Sequence, residues 1–348
     1  MRVIRIENLK DDMVLARPLF QKYGIVLLNE GATNLVRYKE KFKQMGIFYL
    51  YVEDDESRGI EIDDVVKQET RNEGRRVVGE MLKKLLNKQR IHMNEIQEVV
   101  TSIIDDILTN KTVIVNLTDL KNTDDYLYGH AVNVSVLALI IGHAKGYSEK
   151  QLMYLGTGAI LHDIGLALLP EDIVRKPEEK MTSEEKKIYR SHPKLGYETV
   201  KNSWDVDAFS KLIIWGHHEC LDGTGYPRGL KGNDLHEMAR IVAVCDAYDE
   251  LTSNEIEPGK KMPSYLAMEY LSLNAGIKFD AEIIELFLKH IATYPVGSMV
   301  TLNDGRAGIV EKQNEGFPMR PVVRLLNVAD YAIADLMKEM NAVIVDSE

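Results

Sequence analysis

Apolar positions along this 348-residue chain change their spacing three times. Over the first fifty-odd residues, short apolar runs (MRVIRI, MVLARPLF, YGIVLLNEGA, MGIFYLYVED) alternate with glycines around one helical stretch, Asn34 to Met45. Strand-sized runs around a single helix predict a small α/β module over 1–55. The acidic stretch EDDESRGIEIDD then reads as a surface linker. From about Val65 to Thr109 apolar residues recur at helical spacing: Val77, Met81, Leu85, then Ile96, Val100, Ile103, Ile107. That spacing predicts long helices over 56–120, a linker or arm that joins the modules or offers a homodimer surface. From Asn122 to about Ala292 the pattern is almost continuously helical, with Ser148/Gln151 and Thr182/Glu185 at capping-box spacing. Beyond Pro295, GSMVTLNDGRAGIVEKQNEG and MRPVVRLLNV predict short strands around Asn-Asp-Gly and Asn-Glu-Gly turns, a small β cap over 294–348. The expected fold is mainly α: a helical bundle over 121–293 between a small N-terminal α/β module and a small C-terminal β cap.

Composition narrows the function classes. Hydrophobic content of 45% and charged content of 28% are those of an ordinary globular protein. A net charge of −11 argues against non-specific binding of DNA, RNA or an anionic membrane. It leaves room for an anionic ligand, because a bound multivalent cation reverses the local field. Two cysteines, Cys220 and Cys245, with no ribbon-type spacing, fit a reduced cytoplasmic compartment. No uninterrupted run of 18 apolar residues occurs, and the start MRVIRIENLK lacks a signal-type apolar segment, so neither a membrane span nor secretion is expected. No internal repeat or low-complexity tract is present.

The helical segment carries the chemistry. His130 opens an apolar helix, and His162 with Asp163 ends a second. His192 precedes Pro193, where the chain is expected to leave regular helix. His217 and His218 end the helix of KLIIWGHHE, and Asp246 lies in RIVAVCDAYDELTS. Successive members stand about one helical hairpin apart. Leu155, Ala159 and His162 share a helix face, as do Val242, Asp246 and Asp249. Five imidazoles and two carboxylates inside an apolar shell are costly to bury without cations. Seven ligands exceed the needs of one ion and suit two sharing a carboxylate: His130, His162, Asp163 and Asp246 on one, Asp163, His192, His217 and His218 on the other. Two ions roughly 3.5–4 Å apart clamp a phosphodiester for in-line attack. Nitrogen and oxygen donors without thiolate suit divalent Fe or Mn, and also Zn, Ni or Co, better than Mg. His92, His143, His236 and His290 read as capping or surface residues.

These residues, together with Gly225-Tyr226-Pro227 in HHECLDGTGYPRGLKG, and with KNTDDYLYGHAVNV and SHPKLGYE, resemble the HD-GYP family of bacterial metal phosphohydrolases. The resemblance covers about Lys121 to Thr293. It implies an HD-type helical bundle that hydrolyses cyclic di-GMP to pGpG or GMP. In that reading a hydroxide bridges the two ions, with His162 and Asp163 at the catalytic centre. The loop of Gly225, Tyr226, Pro227 and Arg228 would then shape the substrate pocket, with Gly223 and Gly225 in backbone angles closed to other residues. Four positions depart from the family pattern. Leu166 stands where a lysine meets substrate phosphate, and Glu255 and Pro258 occupy two basic positions. Tyr126 replaces a glutamate that holds a third metal in some members, which leaves two ions expected. Each lost charge-assisted contact is worth roughly 1.5–3 kcal/mol, with Lys260 or Lys261 as replacement phosphate contacts. The alternatives are a cyclic dinucleotide or other phosphoester as substrate, or a weak or inactive protein acting as a metal- or ligand-binding regulator. A di-iron oxygenase on the same scaffold is disfavoured by the intact GYP residues.

Overall fold

The computed structural model describes residues 1–20, 26–89, 91–110, 126–253, 262–327 and 332–347. In the N-terminal module β1 (Arg2–Arg5), β2 (Val14–Leu15) and a later strand, β5 (Tyr49–Glu53), form an antiparallel sheet in the order β1-β5-β2. A separate hairpin joins β3 (Leu19–Phe20) to β4 (Val26–Leu28). The expected helical stretch is a 3₁₀ turn, Leu35–Tyr38, running into α1 (Lys39–Gln44). Residues alternate sides along a strand, and β5 uses both. Leu50 and Val52 enter the module's own core with Ile6, Leu35 and Phe42. Tyr51 points the other way, into a core shared with Ile60, Ile62 and the C-terminal sheet.

That second sheet contains β6 (Met299–Leu302), β7 (Ala307–Lys312), β8 (Val322–Leu325), β9 (Ile333–Asp335) and β10 (Ile344–Ser347), ordered β10-β6-β7-β8-β9 with antiparallel neighbours. The amide of Val3 donates to Gly297 O at 3.0 Å, and Arg2 pairs with Asp54 at 2.6 Å. The two ends of the chain, which read in sequence as separate modules, therefore pack as one β-rich body.

Between them lie the helices. α2 (Gln68–Leu86) and α3 (Met93–Thr109) precede α4 (Tyr126–Ala144) and α5 (Glu149–Leu161). Then come α6 (Glu171–Val174), α7 (Ser183–Tyr189), α8 (His192–Val200) and α9 (Ala208–Gly216). α10 (Glu237–Thr252), α11 (Ser264–Leu273) and α12 (Ala281–His290) complete the set. A helix apolar on every face belongs in a core, and α4 sits there, covered by α2, α3, α5, α10 and α12. Among the described residues α4 is the one helix long and apolar enough to cross a membrane, and 78% of that window is buried inside the protein.

Three sequence expectations change. The helices of 56–120 are no free arm, because Val77, Val78, Met81, Ile96, Val100 and Ile103 are buried in the same core as α4 and α5. At about 1.5–3 kcal/mol per buried side chain, peeling them away would cost on the order of 10 kcal/mol. The helical run is interrupted between α9 and α10 by an ordered, largely irregular loop that holds the GYP residues. Finally, Pro193 falls in the first turn of α8, so His192 starts a helix and does not end one. Both capping boxes form as expected.

Candidate metal centre

The ligand candidates are delivered mostly by helix ends. His130 lies in the first turns of α4, His162 caps the C-terminus of α5 and Asp163 follows it. His192 starts α8, His217 caps α9, and Asp246 projects from α10. The last carbonyls of a helix have no partner within it, and three of these histidines use such carbonyls. His162 Nδ1 donates to Ala159 O (2.6 Å), His192 Nδ1 to Tyr189 O (2.8 Å) and His217 Nδ1 to Ile214 O (3.1 Å). His130 Nδ1 meets the Asp249 carboxylate at 2.7 Å. With an acceptor on every Nδ1, each neutral ring presents an unprotonated Nε2 to the interior.

These inward nitrogens converge. His130 Nε2 and His162 Nε2 are 3.1 Å apart, and His192 Nε2 and His217 Nε2 are 3.2 Å apart. At that distance two ring nitrogens repel unless a proton or a metal cation lies between or beside them. Asp163 faces both pairs: Oδ2 is 3.6 Å from His130 and 3.4 Å from His162, while Oδ1 is 3.2 Å from His192 and 3.5 Å from His217. Asp163 Oδ1 is nevertheless a buried oxygen with no hydrogen-bond partner. Asp246 Oδ1 lies 3.0 Å from His130 Nε2 and 3.5 Å from His162 Nε2, and its Oδ2 lies 3.7 Å from His218 Nδ1. An orphaned carboxylate oxygen and facing imidazole lone pairs fit divalent cations. All seven sequence-predicted ligands come together here.

The two halves differ electrostatically. Burial by itself would strip the proton from His130, but Asp246 and Asp249 outweigh it and hold the imidazole well above its ordinary value. His162 is depressed by burial and lifted by Asp163 and Asp246, and is pushed up to about 10. Burial dominates on the other side, lowering His217 and His218, where neighbouring imidazoles repel added charge. Burial disfavours charge on Asp163 and Asp246 as well, yet the surrounding imidazoles hold both carboxyls well below the usual range.

Close backbone contacts explain two glycines. A Cβ on Gly165 would lie 2.0 Å from His192 O and 2.7 Å from Gly196 N, so the turn after Asp163 touches α8 directly. A Cβ on Gly225 would lie 2.3 Å from Cys220 N. Contrary to expectation, only Gly223 of the loop pair has positive φ, at 80°; Gly225 is required by crowding. Buried Glu219 organises this loop by accepting from Arg228 N (2.8 Å) and Leu230 N (2.9 Å). Tyr226 stacks on His218 with ring centroids 4.7 Å apart, and its amide donates to His218 O. Pro227 follows it through a cis peptide bond.

Arg228 is occupied elsewhere, over the Trp215 ring at 4.1 Å and 3.8 Å from Glu219. Leu166 is buried, 4% exposed, in the 3₁₀ turn Ile164–Leu168. Glu255, Pro258, Lys260 and Lys261 lie outside the described residues, as does the side chain of Tyr126.

Sequence reasoning placed Asp249 on the helix face of Asp246 but gave it no role, and it missed the supports behind it. Behind it, Asn133 Nδ2 donates to Asp249 Oδ1 (3.3 Å), and buried Arg71 donates to Asn133 Oδ1 (3.0 Å). Arg71 belongs to α2, so that helix braces the centre. Glu250 is a further oversight, since its carboxylate groups with His218 and Asp246.

Comparison with known proteins agrees with this geometry. A model of the HD domain matches residues 114–283, and a model of the KOW domain associated with HD domains matches 299–348. The helical bundle and its histidine–aspartate centre agree with an HD domain over residues 114–283. The chain's Gly225-Tyr226-Pro227 loop resembles that of the HD-GYP group. Cyclic di-GMP phosphodiesterase PA4108 of Pseudomonas aeruginosa is 33% identical over 239 residues, 68% of this chain and 56% of that protein. The cyclic di-GMP phosphodiesterase response regulator RpfG of Xanthomonas campestris is 34% identical over 158 residues, 45% of this chain and 41% of its own. The chain thus spans about half the length of the curated relatives it matches. Bd1817, an HDGYP protein of Bdellovibrio bacteriovorus, shares the fold with a TM-score of 0.53 at 21% identity, covering 82% of this chain and 97% of that one.

Proposed function

We propose that this protein is a dinuclear metal-dependent phosphodiesterase whose substrate is cyclic di-GMP, cut to pGpG or GMP, or a closely related phosphoester. The observation that carries the reading is the Asp163 carboxylate, whose two oxygens face two separate imidazole pairs. His130, His162, Asp163 and Asp246 would hold one ion, and Asp163, His192, His217 and His218 the other. Fe(II) or Mn(II) suits the donor set best, with Zn, Ni and Co also compatible. When bound, such ions supply Lewis acidity toward phosphoryl oxygens and ionise water for hydrolysis.

The chain's own residues do the positioning. Ala159, Tyr189 and Ile214 carbonyls and the Asp249 carboxylate lock four imidazoles in one tautomer, so the site pays no reorganisation when ligands bind. Tyr226 buttresses His218 from the GYP loop. Arg190 spans the outer face of Tyr226 at 5.3 Å while pairing with Glu178 at 2.6 Å. The names of the relatives support a cyclic dinucleotide as substrate. Buried Leu166 favours a second reading, a metal-bound regulator with weak turnover, because it brings no cation to a substrate phosphate.

One experiment separates them. The chain is loaded anaerobically with Fe(II) or Mn(II), and cyclic di-GMP is followed by chromatography beside an Asp163→Ala control. Metal-dependent turnover that disappears in the control establishes the enzyme. A metal-loaded chain that leaves both cyclic di-GMP and a generic phosphodiester intact sinks the enzyme reading.

A further inference from the structure

Arg190 closes α7, and two residues later His192 opens α8. Its side chain turns toward the GYP loop, with the guanidinium carbon 5.3 Å from the centre of the Tyr226 ring. Tyr226 in turn stacks on His218 at 4.7 Å and meets His192 edge-on at 6.2 Å. The guanidinium therefore stands one aromatic layer away from two candidate ligands. It is half exposed, and its partner is Glu178, from the 3₁₀ turn Glu178–Lys180. Nε donates to Glu178 Oε1 at 2.8 Å, and Nη2 lies 2.6 Å from the same oxygen. Among the described residues Nη1 has no hydrogen-bond or ion-pair partner. The other arginine against this loop differs: Arg228 is held over Trp215 at 4.1 Å, with Glu219 at 3.8 Å. Leu166 is buried and carries no charge.

We propose that Arg190 binds the non-scissile phosphate of a cyclic dinucleotide, giving up Glu178 to do so; this inference rests on the phosphodiesterase reading. A cyclic dinucleotide carries two phosphodiesters in one ring. With one of them at the ions, the other lies a nucleotide's span away and calls for a cation of its own. A guanidinium pairs with carboxylate and phosphate through the same fork of N–H donors, so a phosphate can replace Glu178 without new geometry. A half-exposed ion pair is weakly held, and Glu178 returns to water when it leaves. The Tyr226 ring holds the cation from its face while the donors change partner. Arg190 thus brings from the end of α7 the charge that Leu166 does not bring from the turn after Asp163.

The test compares a substrate with two phosphodiesters and one with a single phosphodiester, on the full chain loaded with Mn(II). In Arg190→Met the KM for cyclic di-GMP should rise about 10- to 100-fold, the worth of one charge-assisted hydrogen bond, with kcat changed far less. The KM for bis(p-nitrophenyl) phosphate, which has no second phosphate, should rise much less. Arg190→Lys keeps the charge without the fork and should recover part of the loss. Glu178→Gln removes the competing anion, so the KM for cyclic di-GMP should fall, and that gain should vanish when Arg190→Met is added. An unchanged KM in Arg190→Met overturns the inference and leaves the phosphodiesterase standing. Equal increases for the two substrates overturn it too. So does an increase accompanied by loss of bound Mn(II) in elemental analysis, which would assign Arg190 to the placing of His192. A wild-type chain that binds cyclic di-GMP without cutting it sinks the activity alone, and the same variants are then compared by calorimetric Kd. A wild-type chain that neither binds nor cuts it overturns both.

Discussion

The two halves of the centre are built from the same side chains and solve opposite problems. Around His130 and His162, three carboxylates (Asp163, Asp246 and Asp249) crowd two imidazoles and draw protons onto them. Around His192, His217 and His218 the imidazoles outnumber the carboxylates, and burial keeps His217 and His218 neutral. In the first half, protons substitute for a metal ion and must leave when it binds. In the second, burial already leaves the His217 and His218 lone pairs free, and the orphaned Asp163 Oδ1 signals the missing charge. A donor set therefore does not by itself fix how tightly an ion binds; the proton inventory of each half does.

Removing the shared residue tests the comparison most severely. Asp163→Ala deletes the one carboxylate that faces both halves, so both proposed ion positions should weaken together. Loss of several kcal/mol of charge stabilisation corresponds to at least about a thousandfold in turnover. Elemental analysis should show both ions depleted. Depletion of one ion alone would show that the halves are independent.

Proton release comes next in size. Below a pH of about 10 His162 carries a proton in the metal-free chain, and His130 is held charged beside it. An ion entering this half displaces those protons. Its affinity should therefore rise with pH, by about tenfold per unit for each proton displaced, and flatten near pH 10. The half containing His217 and His218 has folded-state values below the ordinary one, so it should bind with little proton release near pH 7. Calorimetry in buffers of different ionisation enthalpy measures the protons directly. Equal release in both binding steps would erase the distinction.

A smaller effect is expected when only the orientation of His130 changes. Asp249→Asn keeps the shape and removes the charge that holds Nδ1. Loss of such an outer support lowers metal affinity by about 10- to 100-fold. The change should appear in the His130 half and spare the step that involves His192 and His217. Stepwise Mn(II) or Co(II) titration resolves the two.

The seven candidate ligands were legible in sequence because each has strong chemistry and stands at the end or on one face of an apolar helix. Asp163 and Asp246 carry that signal in a single line of text. What holds them was not legible. The carbonyls of Ala159, Tyr189 and Ile214 have no residue-type signature, since any residue offers the same oxygen. Gly225 suggested a special backbone angle, yet its requirement is the nearness of Cys220 N, a contact made by loop folding. The shared β core was hidden for a similar reason. Tyr51 reads as an ordinary strand residue until a sheet from the far end of the chain covers it. Helices α2 and α3 showed their apolar stripe clearly, but periodicity says that a face is buried and not against what.

Arg71 gives the finest test, because it lies three hydrogen bonds from the nearest candidate ligand on a helix first read as an arm. Its guanidinium donates to Asn133, whose amide donates to Asp249, whose other oxygen holds His130. Arg71→Met keeps much of the side-chain volume and leaves Asn133 Oδ1 without that donor, costing about 1–3 kcal/mol of stability by denaturant titration. Each bond in such a chain polarises the next by about 10–30%. The corresponding loss of metal affinity is then only about two- to fourfold, and it should fall on the same half as Asp249→Asn. In the double variant Arg71→Met with Asp249→Asn the two effects should be less than additive, since both act through one bond to His130. Full additivity would mean that α2 stabilises the bundle without bracing the metal centre.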